Sequence, residues 1–346
     1  MSKTKVAVLM GGRSSERAVS LSTGMMILQA LDTEKYSAFP VDAALFSDGA
    51  APRIEAGDQK QISALAQAET ALRKLGNVSV VTELLHSSSG RPDVVFIALH
   101  GKYGEDGTVQ GLLELAGIPY TGSGVLASAL AMDKIMAKKM LDCAGVPVIP
   151  SVDVASARDR AGRDVASEVA GLGYPVIVKP SRQGSTIGMT RVDSPDDLGT
   201  AIDTALEYDS QLVIERFVAG TEITAGIIGN DDLQVLPLIE IVPSGGFYDY
   251  EAKYTPGATE EIVPARIPEE TAQEARRIAL LSHETLGCRG MSRVDIIVSD
   301  GRLYVLEVNT IPGMTPTSLL PRAAQAAGIA FPQLLDRLIL LALEEA

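Results

Sequence analysis

Two cysteines, Cys143 and Cys288, are the entire thiol content of this 346-residue chain. They are far apart and have no metal motif beside them, so neither a disulfide framework nor a zinc site is expected, and a reducing cytoplasm fits. Basic residues are also scarce: 30 Lys and Arg stand against 44 Asp and Glu, a formal net charge of −14. That deficit argues against nucleic acid and anionic membranes as partners, but a small anionic substrate could still be held by local cations. No apolar run approaches ~18 residues, so no membrane-spanning helix is expected. Residues 1–10 lack the long apolar region and small-residue cleavage site of a secretory leader. No internal repeat is visible. A G-x-G-x-x-G fingerprint and a Walker lysine are both missing, which speaks against dinucleotide and P-loop sites of the usual kind.

What is present describes a globular α/β protein. Hydrophobic residues make up 46% and charged residues 21%, and the length exceeds one ordinary core, so two or three domains are expected. A buried-strand pattern at 5–10 runs into Gly11-Gly12-Arg13-Ser14-Ser15-Glu16-Arg17 and then an amphipathic stretch at 19–31. Strand, glycine turn and helix open a doubly wound parallel sheet, with Glu16 at the mouth of the turn. A second strand, 93–99, ends in His100-Gly101-Lys102-Tyr103-Gly104-Glu105-Asp106-Gly107, again on the ligand side of such a sheet. A helix at 109–116 follows. Residues 50–90 are polar, with one helical segment at 62–75.

Residues 125–144 read as a single helix containing Met132-Asp133-Lys134, and a strand is expected at 146–150. The strand at 174–180 carries Lys179 at its end. After it, Gly184 to Gly188 can lay backbone N–H groups and hydroxyls over a nucleotide phosphate. Residues 212–218 and 223–228 form a strand pair around Glu222; backbone groups there could read an adenine edge, and Glu222 could take ribose hydroxyls. The sparse aromatics, 4% of the chain, gather at 247–254 between glycines, as in a lid. Helices are expected at 269–286 and from 332 onward.

Two β-branched runs, 293–298 and 303–309, flank Asp300-Gly301 as a hairpin. Arg293, Asp295, Glu307 and Asn309 interrupt them, and charges inside apolar strands must compensate one another or hold something. A two-residue turn would put Asp295 and Glu307 on opposite faces; a three-residue loop with Gly301 left-handed would put them on one, and that loop is expected. Taken alone, the hairpin reads more simply as an ion pair on a solvated face. As a site, its oxygen-only donors suit Mg²⁺.

Gly-Gly-x-Ser-x-Glu at 11–16, the 100–111 segment, Met-Asp-Lys at 132–134, Val-Lys-Pro-Ser-x-x-Gly-Ser at 178–185, Phe-Tyr-Asp-Tyr-Glu-Ala-Lys-Tyr at 247–254, Arg-Val-Asp and Glu-Val-Asn-Thr-x-Pro-Gly-Met-Thr together resemble the D-alanine:D-alanine ligase family of the ATP-grasp superfamily. The likeness spans the chain apart from about 45–90. It implies a three-domain ATP-grasp architecture: a doubly wound parallel-sheet domain at 1–122 and two α+β domains, 123–214 and 215–346, sandwiching ATP. It further implies ATP-dependent joining of two D-alanines through a D-alanyl phosphate, for peptidoglycan precursors, by a cytoplasmic homodimer. By resemblance, Mg²⁺, as two ions that Mn²⁺ could replace, sits on Asp295, Glu307 and Asn309. ATP is held by Lys134, Lys179, Lys253, the strand Glu215 to Val218 with Phe217, and Glu222. Arg293 and the Gly313 N–H face the oxyanion; Glu16, Ser185 and Tyr254 close on the first D-alanine; His100, Ser318 and the Leu319 N–H serve the substrates. D-alanine:D-serine and D-alanine:D-lactate ligation, or a non-catalytic nucleotide-binding protein, are the alternatives. Tyr254 speaks against the lactate type. Phe217 stands where some relatives have Trp, and Gln183 where some have Glu.

Overall fold

The computed structural model describes residues 3–14, 16–43, 90–154, 162–184, 186–243 and 258–344. The helix expected at 62–75 and the lid at 247–254 lie outside these, and so do Ser185, Lys253 and Tyr254.

The chain opens with β1 (Thr4–Met10), α1 (Arg17–Ala30), β2 (Tyr36–Asp42) and β3 (Val94–Ile97), and the strands form a parallel sheet in the order β2-β1-β3. Strand order therefore reverses beside β1. The segments leaving β1 and β3, Gly11 to Glu16 and His100 to Gly107, emerge side by side at their carboxyl ends, where a doubly wound sheet forms its crevice. Ser14 ties them together: its hydroxyl donates to the His100 carbonyl at 2.7 Å. Arg17 is buried and donates to both Asp42 oxygens, at 2.8 and 2.7 Å, and to the Gly12 carbonyl at 3.1 Å, which pins the glycine turn. Next come α2 (Thr108–Ala116), α3 (Val125–Met132) and α4 (Lys134–Cys143).

The single helix expected at 125–144 is thus two. Asp133, with φ −86° and ψ 97°, leaves the helical region and caps α4 by accepting the Met136 N–H at 3.1 Å. A capping aspartate competes with the helix it interrupts. The break lets Lys134 bond the 181–183 segment, its backbone N–H donating to the Ser181 carbonyl at 3.1 Å. The strand expected at 146–150 starts later, as β4 (Ser151–Val154); only Val148 makes a bridge, to Val305.

A four-stranded antiparallel sheet, β4-β7-β5-β6, is built with β5 (Val176–Pro180), β6 (Thr190–Val192) and β7 (Leu212–Arg216), and is covered by α5 (Val165–Leu172) and α6 (Leu198–Leu206). Its own apolar cluster includes Val154, Val169, Val178, Ala201 and Ile214. β7 runs through 214/215, so the middle sheet extends past the boundary expected from sequence.

The third sheet, β11-β10-β8-β12-β13 with β9 against β8, comprises β8 (Thr221–Gly229), β9 (Gln234–Val235), β10 (Ile239–Pro243), β11 (Thr259–Ile262), β12 (Gly290–Ser299) and β13 (Arg302–Asn309). Helix α7 (Glu269–Thr285) lays Ala272, Ala275, Ile278 and Ala279 on one face of it, a stripe at helical spacing whose small residues permit close approach. Ala131, Ala137 and Leu141 of α3 and α4 join that cluster rather than the middle one. Helices α8 (Leu319–Ala326) and α9 (Phe331–Glu344) share the apolar cluster of the first sheet, through Leu320, Leu334, Leu335 and Leu338, together with Ile228 and Met291. Full burial of one such side chain is worth about 1.5–3 kcal/mol, so this shared cluster ties the third sheet to the first.

The hairpin departs from expectation in an instructive way. Asp300 and Gly301, at φ 48° and 74°, make a two-residue turn with Ser299 paired to Arg302. The three-residue loop is therefore wrong. Asp295 is nevertheless paired with Glu307, because the register shifts after Asp295: Ile296 faces Val305, and Leu306 is the extra residue of a β-bulge. Successive Leu306 and Glu307 both line the same cavity, while Val305 and Val308 both enter the core. A bulge changes face parity just as an added loop residue would.

Candidate active site

Between the middle and third sheets lies a cavity of about 480 Å³. Lys134, Lys179, Glu215, Phe217, Val218, Glu222, Asp295 and Glu307, all singled out in the sequence, line it. β5 and β7 supply one wall and the β12–β13 hairpin the other.

On the first wall, Glu215 is 3% exposed and lies between two lysines. Lys138 Nζ donates to its Oε1 at 2.6 Å and Lys179 Nζ reaches its Oε2 at 2.8 Å. Burial by itself would raise the Glu215 carboxyl, but the two ammonium groups outweigh it and hold it at about 2. The Glu215 side chain is thus committed to lysines, while Arg216, Phe217 and Val218 continue the lining of the cavity. Lys138 escaped the sequence reading. Its signal was the i, i+4 spacing from Lys134 on one helix, which stacks both ammonium groups on a face.

On the opposite wall Asp295 is buried and fully engaged. Arg293 donates to its two oxygens at 2.9 and 2.8 Å, Thr224 to Oδ1 at 2.6 Å and Asn309 Nδ2 to Oδ2 at 3.2 Å. Thr224 faces Asp295 across β8 and β12, a pairing visible only once the register is known. Lys134 spans the walls: its Nζ donates to the Gln183 carbonyl at 2.8 Å and stands 3.6 Å from Glu307 Oε2. Among the described residues no group of three or more His, Cys, Asp or Glu is arranged for a metal. The donors here are two carboxylates and an amide, Asp295, Glu307 and Asn309, on one face of the hairpin. All can offer hard oxygens, the donor type Mg²⁺ takes, and for Asp295 to ligate, one of its present hydrogen-bond donors must turn away.

A smaller cavity of about 160 Å³ adjoins, lined by Ser14, Glu16, Gly101, Gln183 and Gly184 among others. It joins the crevice of the first sheet to the loop after β5. Gly101 has φ 69°, and a Cβ there would come within 2.7 Å of Glu16 Oε2, so only glycine fits. His100 is buried, with Nε2 3.4 Å from Thr23 Oγ1. Burial lowers its pKa, the Glu16 charge opposes that and Arg293 adds to the lowering. Glu105, missed from the sequence although it lies in the quoted loop, accepts the Gly101 N–H at 2.6 Å; burial and the neighbouring Glu16 push it up to about 8. His100 and Glu105 thus both feel Glu16 and Arg293, which brings the first sheet's crevice up to the hairpin wall.

Gly313 and Ser318 are neighbours: a Cβ added at Gly313 would lie 2.9 Å from Ser318 Oγ. The Ser318 hydroxyl accepts the Thr315 N–H at 3.2 Å and lies 2.8 Å from Thr315 Oγ1, while Ser318 itself precedes α8, whose first residue is Leu319. They sit apart from the lining of the 480 Å³ cavity, on the side of the hairpin toward Arg322, which pairs with Glu261 of β11.

This arrangement has close counterparts. A family model described as D-ala D-ala ligase N-terminus matches residues 5–123, and one described as D-ala D-ala ligase C-terminus matches 140–340. The D-alanine–D-alanine ligases of Syntrophobacter fumaroxidans and Pelotomaculum thermopropionicum are 46% and 45% identical over 345 and 344 residues, covering 99% and 98% of this chain and 99% and 97% of theirs. Among solved structures, the Bacillus anthracis D-alanine–D-alanine ligase complexed with ATP superposes with a TM-score of 0.78 at 35% identity, over 100% of this chain and 98% of that one. The VanG D-Ala:D-Ser ligase of Enterococcus faecalis gives 0.81 at 34%, over 99% and 100%. With both family models in sequence order and whole-length identity at this level, the chain belongs to the D-alanine–D-alanine ligase family and has its ATP-grasp fold.

Proposed function

We propose that this enzyme joins two D-alanines into D-alanyl-D-alanine with cleavage of ATP to ADP and phosphate, supplying peptidoglycan precursors. The observation that carries this reading is the opposition of a lysine wall and a carboxylate wall across one cavity, with the Lys134 ammonium between them, donating to the Gln183 carbonyl and 3.6 Å from Glu307. ATP occupies the 480 Å³ cavity, its adenine along the backbone of Glu215 to Val218 beside Phe217 and its ribose at Glu222. Lys134, Lys179 and Lys253 meet the phosphates. Asp295, Glu307 and Asn309 would hold one or two Mg²⁺, or Mn²⁺, which when bound neutralise phosphate charge. The chain divides into three units, the middle one ending after β7.

The chemistry follows from the charges. A carboxylate oxygen of the first D-alanine attacks the γ-phosphorus and ADP leaves, giving D-alanyl phosphate. The amine of the second then attacks the acyl carbon, and phosphate departs with its electron pair. Transfer between anions requires positioning and charge neutralisation more than a covalent nucleophile. Glu16 receives the first ammonium, the family resemblance would link it through Ser185 to Tyr254, and His100 borders that site. Arg293 and the Gly313 N–H face the tetrahedral oxyanion. Ser318 and the Leu319 N–H, at the start of α8, take the second carboxylate. The unpaired thiols of Cys143 and Cys288 fit a cytoplasmic enzyme, and the family resemblance favours a homodimer.

Phosphate release measured with D-alanine, then with other D- and L-amino acids, tests the reading; release should require D-alanine as donor. The likeness to the VanG structure makes D-serine the acceptor to set beside D-alanine. Preferential D-alanyl-D-serine formation would replace the proposed product, and substantial depsipeptide with D-lactate would overturn the acceptor assignment.

A further inference from the structure

Lys138 takes no part in the roles assigned above, yet it is 6% exposed and its ammonium makes two hydrogen bonds. Its ammonium donates to the Ile149 carbonyl at 2.7 Å as well as to Glu215 Oε1 at 2.6 Å. It does not line the ATP cavity, whereas Glu215 and Lys179 do. A lysine with its charge withdrawn from the cavity is a poor ligand for phosphate. Burial lowers its pKa, Glu215 opposes that and Lys179 adds to the lowering, so the cation is kept chiefly by the carboxylate.

We propose that Lys138 is a positioning residue for the triphosphate: by holding one oxygen of Glu215 away from the cavity, it keeps the charge of Lys179 directed at ATP. Glu215 has two oxygens and each meets one ammonium. The cluster of two lysines and one carboxylate carries a net charge of one positive unit. Remove the Lys138 charge and the cluster becomes neutral. Glu215 then has Lys179 as its one counter-ion in a buried place, and an incoming phosphate must compete with it for that ammonium. Ile149 lies just before β4, so its carbonyl fixes the ammonium of Lys138 against the middle sheet and sets the distance at which Glu215 is held.

This inference rests on the ATP site proposed above, and the two can fail separately. The full chain and its K138Q, K179Q and K138Q/E215Q variants are titrated with ATP in the presence of Mg²⁺ and with adenosine, by calorimetry. Loss of a charge-assisted contact corresponds to about a tenfold weaker ATP in K138Q, with adenosine, which has no phosphate, unchanged. The double variant, lacking both the cation and the carboxylate it restrains, should recover ATP affinity to within about threefold of the parent chain. ATP unaffected in K138Q, or ATP and adenosine weakened alike, overturns the proposal and leaves Lys138 a packing residue. If K138Q does not fold, the double variant decides alone: an ATP-to-adenosine affinity ratio reduced about tenfold there overturns it. If K179Q binds ATP like the parent, the ATP site itself is misplaced.

Discussion

The two walls of the cavity neutralise their charges by different means. On the hairpin, Arg293 and Asp295 are two residues apart on one strand, and Glu307 and Asn309 are their direct cross-strand partners. On the lysine wall, Lys138, Lys179 and Glu215 come from α4, β5 and β7, and Lys138 and Glu215 are 77 residues apart in sequence. The first arrangement follows from strand periodicity plus one bulge. The second exists only after a helix has packed beside a sheet. Loss of a charge should therefore cost more stability on the lysine wall, where three separate elements meet, than on the hairpin, where neighbouring strand residues can still compensate one another.

E215Q probes that contrast most severely. Removing one partner from a buried ion cluster costs about 3–5 kcal/mol, so its urea midpoint at pH 7 should fall well below that of the parent chain. The pH dependence has a definite sign. The Glu215 carboxyl is depressed from 4.5 to about 2 in the fold, so its contribution is complete above about 4.5 and is lost as pH falls toward about 2. The gap between the parent chain and E215Q should narrow across that window; a constant gap between pH 7 and pH 3 would contradict the cluster.

R293A tests the other wall through catalysis. On the proposed oxyanion role, loss of this donor lowers kcat about 10²–10³-fold, while ATP binding should remain, since Arg293 does not line the 480 Å³ cavity. Collapse of ATP affinity along with kcat would mean that the hairpin wall is not energetically separate. G313A acts on the segment after β13, outside the lining of the 480 Å³ cavity. An added Cβ would lie 2.9 Å from Ser318 Oγ and 3.4 Å from Ser318 Cβ, so the hydroxyl must give way. A rise of about threefold to tenfold in the acceptor KM is expected with the ATP KM unchanged; equal rises in both would remove Ser318 from the acceptor site. F217W should matter least. Phe217 carries the Arg191 guanidinium 4.4 Å from its ring centroid, and a larger ring keeps that contact, so the ATP KM should stay within about threefold.

Much of this was legible in the linear chain. The glycine turn ending in Glu16 and the His100 loop fall where strand and helix patterns put them, because the carboxyl ends of parallel strands are where polar residues converge, and Lys179 falls near the end of its own, antiparallel strand. The reading failed where two local rules conflict. At 125–144 helical periodicity hides a break, and only the capping bond from Met136 to Asp133 reveals it. At Asp300-Gly301 the turn residues demand a two-residue loop while the carboxylates demand a shared face, and a bulge at Leu306 reconciles them. No residue type marks a bulge in advance, since its position is set by which side chains the core accepts.

By itself, then, the sequence determined the kind of chemistry: which residues are charged, that they interrupt apolar strands, and that their order matches one ligase family. Periodicity of two along a strand and of 3.6 along a helix is written in local side-chain chemistry. Tertiary structure alone decided which distant charges meet. Lys138 becomes the partner of Glu215, and Thr224 of Asp295, because sheet register and helix packing bring them within 2.6 Å. Those pairings depend on how whole elements bury their apolar faces, a property of many residues at once rather than of any short stretch.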